Sequence, residues 1–125
     1  MLPIKLDIVP VPKPRMTQSD RWRQRPCVLR YWEFKDALVN LWEDREVPEQ
    51  VGLIFILPMP NSWSEKKKRL LDGKPHQVKP DIDNLEKSIF DCLSPSDAYI
   101  WRVEKIKIWG RQGSVELWEL EPCTI

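Results

Sequence analysis

At 125 residues the chain has the length of one ordinary domain, large enough to bury a core without disulfide or metal staples. Hydrophobic residues make up 42% and charged residues 31%, an ordinary globular balance, and no apolar run approaches the roughly 20 residues that a bilayer span needs. The net charge of +1 excludes a chain that is basic throughout, so any polyanion-facing surface must come from local grouping of charge.

In chain order, residues 3–9 alternate apolar and polar, with Ile4, Leu6 and Ile8 on one side, which predicts a strand with one wet face. The following VPVPKPRMTQSDRWRQRP places Pro10, Pro12 and Pro14 within five residues, so no helix forms there. A long basic loop is expected instead. Residues 30–46 read as a helix, because Tyr31, Phe34, Leu38 and Leu41 recur at helical spacing; Val47-Pro48 is expected to end it. Residues 51–57 are continuously apolar and stop at Pro58, as in a strand buried on both faces. Ser62 and Glu65 have capping-box spacing, predicting a short helix from Trp63 to Leu71 with Gly73 closing it.

A second main helix is expected over 82–93, closed by Leu93-Ser94-Pro95. Residues 98–109 and 114–120 read as strands joined at GRQG, and the alternation slips between Val103 and Ile106, as a bulge would cause. Strands and helices in this order predict an α+β fold: a single small domain over 1–125, a mixed sheet with helices packed on it.

Two segments carry the charge. Residues 13–30 hold Lys13, Arg15, Arg21, Arg23, Arg25 and Arg30 against Asp20, and residues 65–79 hold Lys66, Lys67, Lys68, Arg69, Lys74 and Lys79 against Glu65 and Asp72. Such polarity suits phosphate contacts, although a charge run is commonly a solvated face. His76 stands among these lysines, where a phosphate-contacting or surface role is expected ahead of general-base catalysis. Cys27, Cys92 and Cys123 form an odd set without CxxC, and His76 is the one histidine, which argues against zinc and against a disulfide framework. Free thiols and a start without signal-peptide character lead to a cytoplasmic expectation.

The chemistry concentrates in KPDIDNLEKSIFDCL, residues 79–93. Ile82, Leu85, Ile89 and Leu93 make the apolar stripe, while Asp83, Lys87 and Asp91 follow one another four apart. Asp81 and Asp83 at the helix mouth could hold Mg²⁺, which takes one or two carboxylates with water and phosphate. Lys87 could meet the charge that develops on a scissile phosphate. Asp97 is a third candidate ligand, with Asp91 in reserve. The same residues also fit a helix cap and ordinary i,i+4 ion pairs, so spacing alone leaves both readings open.

The stretch MPNSWSEKKKRLLDGKPHQVKPDIDNLEKSIFDCL resembles the central signature of the RusA family of Holliday junction resolvases, a basic segment followed by a KPD-x-DN-L-x-K helix. The PKPR element and the region opening at Asp97 fit the same pattern. The resemblance implies a Mg²⁺-dependent endodeoxyribonuclease, with Mn²⁺ as a substitute, acting on four-way DNA junctions as a homodimer. It implies neither a nucleotide cofactor nor a membrane. It makes Asp81, Asp83 and Asp97 metal-binding catalytic carboxylates and Lys87 the catalytic lysine. It also implies DNA recombination or repair, often on prophages. One departure stands out: the family's adjacent acids, small residue and glutamine read here as Ser96-Asp97-Ala98-Tyr99. The competing classes are a non-catalytic branched-DNA-binding module, a small-molecule phosphohydrolase and a structural partner.

Overall fold

The computed structural model describes residues 3–15, 25–94 and 96–122. Strand β1 (Ile4–Leu6) is followed by helix α1 (Pro26–Trp42), strand β2 (Gln50–Pro58), helix α2 (Glu65–Leu71), helix α3 (Ile82–Leu93), strand β3 (Arg102–Gly110) and strand β4 (Ser114–Glu119). The strands form one mixed sheet in the order β1-β4-β2-β3, in which β2 pairs parallel with β3 and antiparallel with β4, and β1 pairs antiparallel with β4. The result is the expected small α+β domain.

Alternation along β2 decides which side carries the core. Val51, Leu53, Phe55 and Leu57 share one face with Val115 and Leu117 of β4, and all six are buried. Onto this face α1 contributes Tyr31, Phe34, Leu38 and Trp42, and α3 contributes Leu85, Ile89, Phe90 and Cys92. The two helices also touch each other.

Several local expectations need correction. Helix α1 begins four residues earlier than the pattern suggests, with Pro26 in its first turn, where a missing N–H costs nothing. It ends at Glu43, whose left-handed backbone sends its N–H to the Val39 carbonyl; Val47-Pro48 lies further on. Trp42, not Leu41, completes the buried stripe, leaving Leu41 39% exposed. The cap of α2 is Ser64, whose Oγ accepts from the Lys67 N–H at 3.2 Å, in place of Ser62. Strand β3 starts at Arg102, after a single 3-10 turn over Asp97–Tyr99.

No bulge interrupts β3, since its register with β2 is unbroken from Gln50↔Arg102 to Pro58↔Gly110. The apparent phase slip has another cause. Lys105 and Lys107 lie on the helix-covered side, beside Leu53 and Phe55, because partners there accept their charge. Lys105 pairs with Glu86 of α3, and Lys107 Nζ donates to the carbonyls of Val78 and Pro80 at 2.7 and 2.6 Å. The isoleucine between them, Ile106, therefore faces outward and is 51% exposed.

Residues 73–76 run along the outer edge of β3. The Gly73 N–H donates to the Trp109 carbonyl, the Trp109 N–H to the Lys74 carbonyl, and the His76 N–H to the Lys107 carbonyl, at 2.9–3.0 Å. This edge strap covers backbone groups that would otherwise be open for pairing. It also carries the chain from α2 back to the start of α3. Both helices thereby have an end near the C-terminal ends of the parallel strands.

Candidate active site

Asp81 is the residue that opens α3. Its backbone is extended (φ −70°, ψ 143°), and its carbonyl accepts the Leu85 N–H at 3.2 Å. Its carboxylate makes no capping hydrogen bond, although an aspartate here ordinarily would. Asp83, in the first turn, accepts the neighbouring Asn84 N–H through Oδ1 at 3.0 Å. Both carboxylates are exposed, and neither forms an ion pair among the described residues. The i,i+4 pairs Asp83–Lys87 and Lys87–Asp91 that the spacing allows are not made. Asp91 instead turns to Lys13, with Oδ2 at 2.5 Å from Nζ.

That contact fixes the proline-rich loop over the helix. The Lys13 N–H also reaches the Asn84 carbonyl at 3.4 Å. Loop and helix border an open cleft of about 530 Å³ lined by Val9, Pro10, Val11, Pro12, Lys13, Arg30, Leu57, Lys79, Pro80, Asp81 and Asn84. A second cleft of about 400 Å³ adjoins it, lined by Lys13, Pro14, Arg15, Asn84 and Lys87. Lys13 and Asn84 belong to both, so the two form one trough. Five cations, Lys13, Arg15, Arg30, Lys79 and Lys87, line it, and Asp81 is the carboxylate among the described lining residues.

Beneath Asp81, Lys107 holds the Val78 and Pro80 carbonyls from the sheet. The aspartate thus stands on a segment tied to a strand, which suits a group that must keep a fixed position. Asn84, Arg30 and Lys107 were not singled out as site residues in the sequence. Arg30 was visible only as one charge of the basic segment. Asn84 sits inside the DN pair of the motif, which was the available signal. Nothing in a strand's alternation could have shown that Lys107 meets the 78–80 carbonyls.

The remaining candidates lie elsewhere. Asp97 is in the 3-10 turn that follows α3, at the far end of a helix about 18 Å long. Its neighbour Tyr99 donates to the Val47 carbonyl at 2.7 Å, which anchors that turn at the opposite end of the sheet from Asp81. No group of three His, Cys, Asp or Glu placed to hold a metal exists among the described residues. Asp81 and Asp83 lie at the start of α3 with Lys87 one turn further along it, and Asp97 lies apart from them beyond its other end. As oxygen donors left unpaired beside cations that would receive phosphate, the two carboxylates fit a hard divalent ion that completes its shell with water and substrate.

Lys66, Lys67, Lys68 and Arg69 lie on α2, which buries no side chain, and Lys74 is exposed beyond it. Lys67 Nζ sits 4.2 Å from the Trp63 ring centroid, and Trp63 packs on Trp109 at 4.7 Å. Glu65, at the start of α2, is held below the usual carboxylate range by the hydrogen-bonded Arg111 guanidinium. Arg25 donates to the Arg15 carbonyl at 2.6 Å. Arg21 and Arg23 fall outside the described residues, as does Cys123.

His76 is a correction. It is 5% exposed, its ring lies 4.1 Å from that of Trp109, and its Nδ1 has no hydrogen-bond partner among the described residues. Burial, with Lys107 nearby, holds its pKa below the ordinary histidine value. A neutral ring packed on a tryptophan has no access to phosphate. Of the thiols, Cys27 is exposed and Cys92 buried, both free.

The family model for endodeoxyribonuclease RusA matches residues 7–117. The chain belongs to the RusA endodeoxyribonuclease family. The match spans the proline-rich loop, the basic helix, the whole of α3 and the sheet strands β2 and β3, so every wall of the trough lies within it. No curated protein matches the chain. Among the described residues no helix is long and apolar enough to cross a membrane.

Proposed function

We propose that this RusA-family chain is a divalent-metal-dependent endonuclease that resolves four-way DNA junctions by hydrolysing one phosphodiester in each of two opposed strands. The observation that carries the reading is the uncapped carboxylate of Asp81 in a trough that five cations, Lys87 among them, help to line, with Asp83 exposed two residues further on and neither carboxylate in an ion pair among the described residues. An exposed carboxylate among cations but bonded to none of them, as Asp81 is, gains little for stability. It is well explained by a ligand that brings its own charges.

Asp81 and Asp83 would hold Mg²⁺, with Mn²⁺ as its substitute in the assay. The ion, when bound, supplies activation of water and neutralisation of charge on the phosphate. Lys87 would donate to the phosphoryl oxygen on which charge develops. Lys13, Arg15, Arg30 and Lys79 would hold the flanking phosphates, and the cations of α2, at the same end of the sheet, would extend that contact along a second arm. Binding should then weaken steeply as salt rises. Asp97 enters this reading through the family pattern alone.

Two matched cuts need two matched sites, and one chain offers one trough, so a C2 homodimer is the simplest working form. Such an activity belongs to DNA recombination and repair. The test compares a synthetic four-way junction with a matched linear duplex, in Mg²⁺ and in EDTA, for wild type and Asp81→Asn. Paired, symmetric, metal-dependent cuts that vanish in the variant are expected. Tight junction binding without cuts in any divalent metal would replace the reading with a non-catalytic branched-DNA-binding protein. That is the alternative favoured by the lack of a third nearby carboxylate among the described residues.

A further inference from the structure

We propose that the larger cleft is a pocket for one unstacked nucleobase next to the scissile phosphate, and that Asn84 reads it. The inference rests on the junction-nuclease reading above and adds to it a cause for sequence preference at the cut.

A site that held only phosphates would be walled by donors. This cleft is not. Val9, Pro10, Val11, Pro12, Leu57 and Pro80 give it broad apolar walls, and Lys13, Arg30 and Lys79 come to it from three different parts of the chain. Apolar walls combined with cations match a nucleotide, whose base is flat and weakly hydrated on its faces and whose phosphates are charged. The volume of about 530 Å³ falls within the range of pockets for small ligands, roughly 300–1,000 Å³. Asp81 lies in the same cleft, so a base held there belongs to a nucleotide adjoining the bond to be cut.

Asn84 supplies the polar group that such a pocket needs. It is exposed, it projects from the first turn of α3 into both clefts, and its backbone N–H and carbonyl are already engaged by Asp83 and Lys13. Its side-chain amide carries both donors and an acceptor and forms no hydrogen bond among the described residues. An amide can therefore meet a base edge and distinguish one base from another. Bases at a branch point have lost part of their stacking, so extrusion costs least there. A base pocket would accordingly favour branched over linear DNA.

The experiment uses the full chain in EDTA, with junctions carrying 2-aminopurine at successive positions around the crossover. Binding is followed by anisotropy, base unstacking by fluorescence, and enclosure by acrylamide quenching. The expected result is brightening at one position in each of two opposed strands, shielded from acrylamide. Val11→Phe, which fills the cleft, should remove the shielded signal in complexes that anisotropy shows to be saturated. Val9→Phe, at a half-exposed position, is the second filling variant if the first does not fold. In Mg²⁺, Asn84→Ala should flatten the preference among the four bases at that position. Saturable junction binding with no brightened base, with a base as open to acrylamide as in free DNA, or with a shielded signal that survives filling, overturns the pocket and leaves the nuclease reading intact. Absence of saturable junction binding overturns both.

Discussion

Lys13 and Asp91 stand 78 residues apart in the chain and meet at 2.5 Å, Nζ to Oδ2, each about 30% exposed. The contact holds the proline-rich loop against α3 and so shapes the trough. Asp91 is thereby committed to a cation and is not an idle ligand. A half-buried pair of this kind contributes on the order of 1 kcal/mol. A double-mutant cycle of Lys13→Met and Asp91→Asn should give a coupling of about 0.5–1 kcal/mol in urea unfolding. Asp91→Asn should keep metal-dependent cleavage. A loss as complete as that of Asp81→Asn would instead make Asp91 a metal ligand.

The carboxylates divide by position. Asp81 and Asp83 share the first turn of α3, whereas Asp97 lies beyond its other end. Asp83→Asn should abolish cleavage while junction affinity holds or tightens, because a repulsive charge near phosphate has gone. Asp97→Asn should cleave within a few-fold of wild type. Lys87→Ala should lose roughly 100-fold or more in turnover with little change in affinity, as removal of one transition-state donor does. Single-turnover cleavage and anisotropy measured on the same junction separate the two quantities. Inactivity of Asp97→Asn with intact folding would bring that residue into the site.

Lys107 donates to two carbonyls of the segment that delivers Asp81. Its replacement by methionine keeps the length of the side chain and removes both bonds. Hydrogen bonds to a charged group contribute about 1.5–3 kcal/mol each, and less where water competes. A loss of about 1–2 kcal/mol in stability is expected, measured as a lower urea midpoint with unchanged slope. Cleavage should fall more than binding, because Asp81 loses its support while the cations of the trough remain. Equal losses in both would show that the bonds serve the fold alone.

His76 gives a pH dependence with a defined sign. Its pKa is lowered in the folded chain, first by burial and then by Lys107, so the unfolded chain takes up the proton more readily. The stability it allows is fully present above the unfolded value, about 6.5, and is lost as pH falls from there toward the folded value. His76→Phe keeps a ring against Trp109 and removes the proton site. Between pH 7.5 and 5.5 the wild type should lose more thermal stability than this variant. Parallel losses would mean that other groups carry the dependence.

What could be read from residue order alone follows physical lines. Helix α3 matches its expected bounds, because its apolar stripe and the stop at Leu93-Ser94 act within the segment itself, Pro95 lying outside the described residues. Strand β2 was legible for the same reason, although it is fully buried only on its helix-covered face, with Ile54 and Ile56 partly exposed on the other. The start of α1 was missed because Pro26 and the residues before it look like loop until a core exists for Val28 and Tyr31 to enter. The two lysines of β3 imitated a bulge because their partners, Glu86 and the 78–80 carbonyls, come from distant parts of the chain. At the site, the order Asp81, Asp83, Lys87 was visible as one motif. The pairing of Asp91 with Lys13, and the burial of His76 on Trp109, were tertiary events with no local signature.

Gly52 and Trp118 test the sheet away from the site. They are direct partners across β2 and β4, on the face opposite the one that α1 and α3 cover. A Cβ added at Gly52 would lie 2.2 Å from Trp118 Cε2 and 2.4 Å from Cζ2, well inside contact distance. The indole thus lies on bare backbone, covering the central strand where a helix would otherwise be needed. Gly52→Ala must push the ring outward and expose both it and the strand beneath. Overpacking of this kind costs about 1–3 kcal/mol, which should appear as a lower urea midpoint and a shift in tryptophan emission toward solvent. Trp118→Ala in the Gly52→Ala background should cost less than in wild type, because the clash has already removed the contact. If the two losses simply add, the ring does not depend on Gly52.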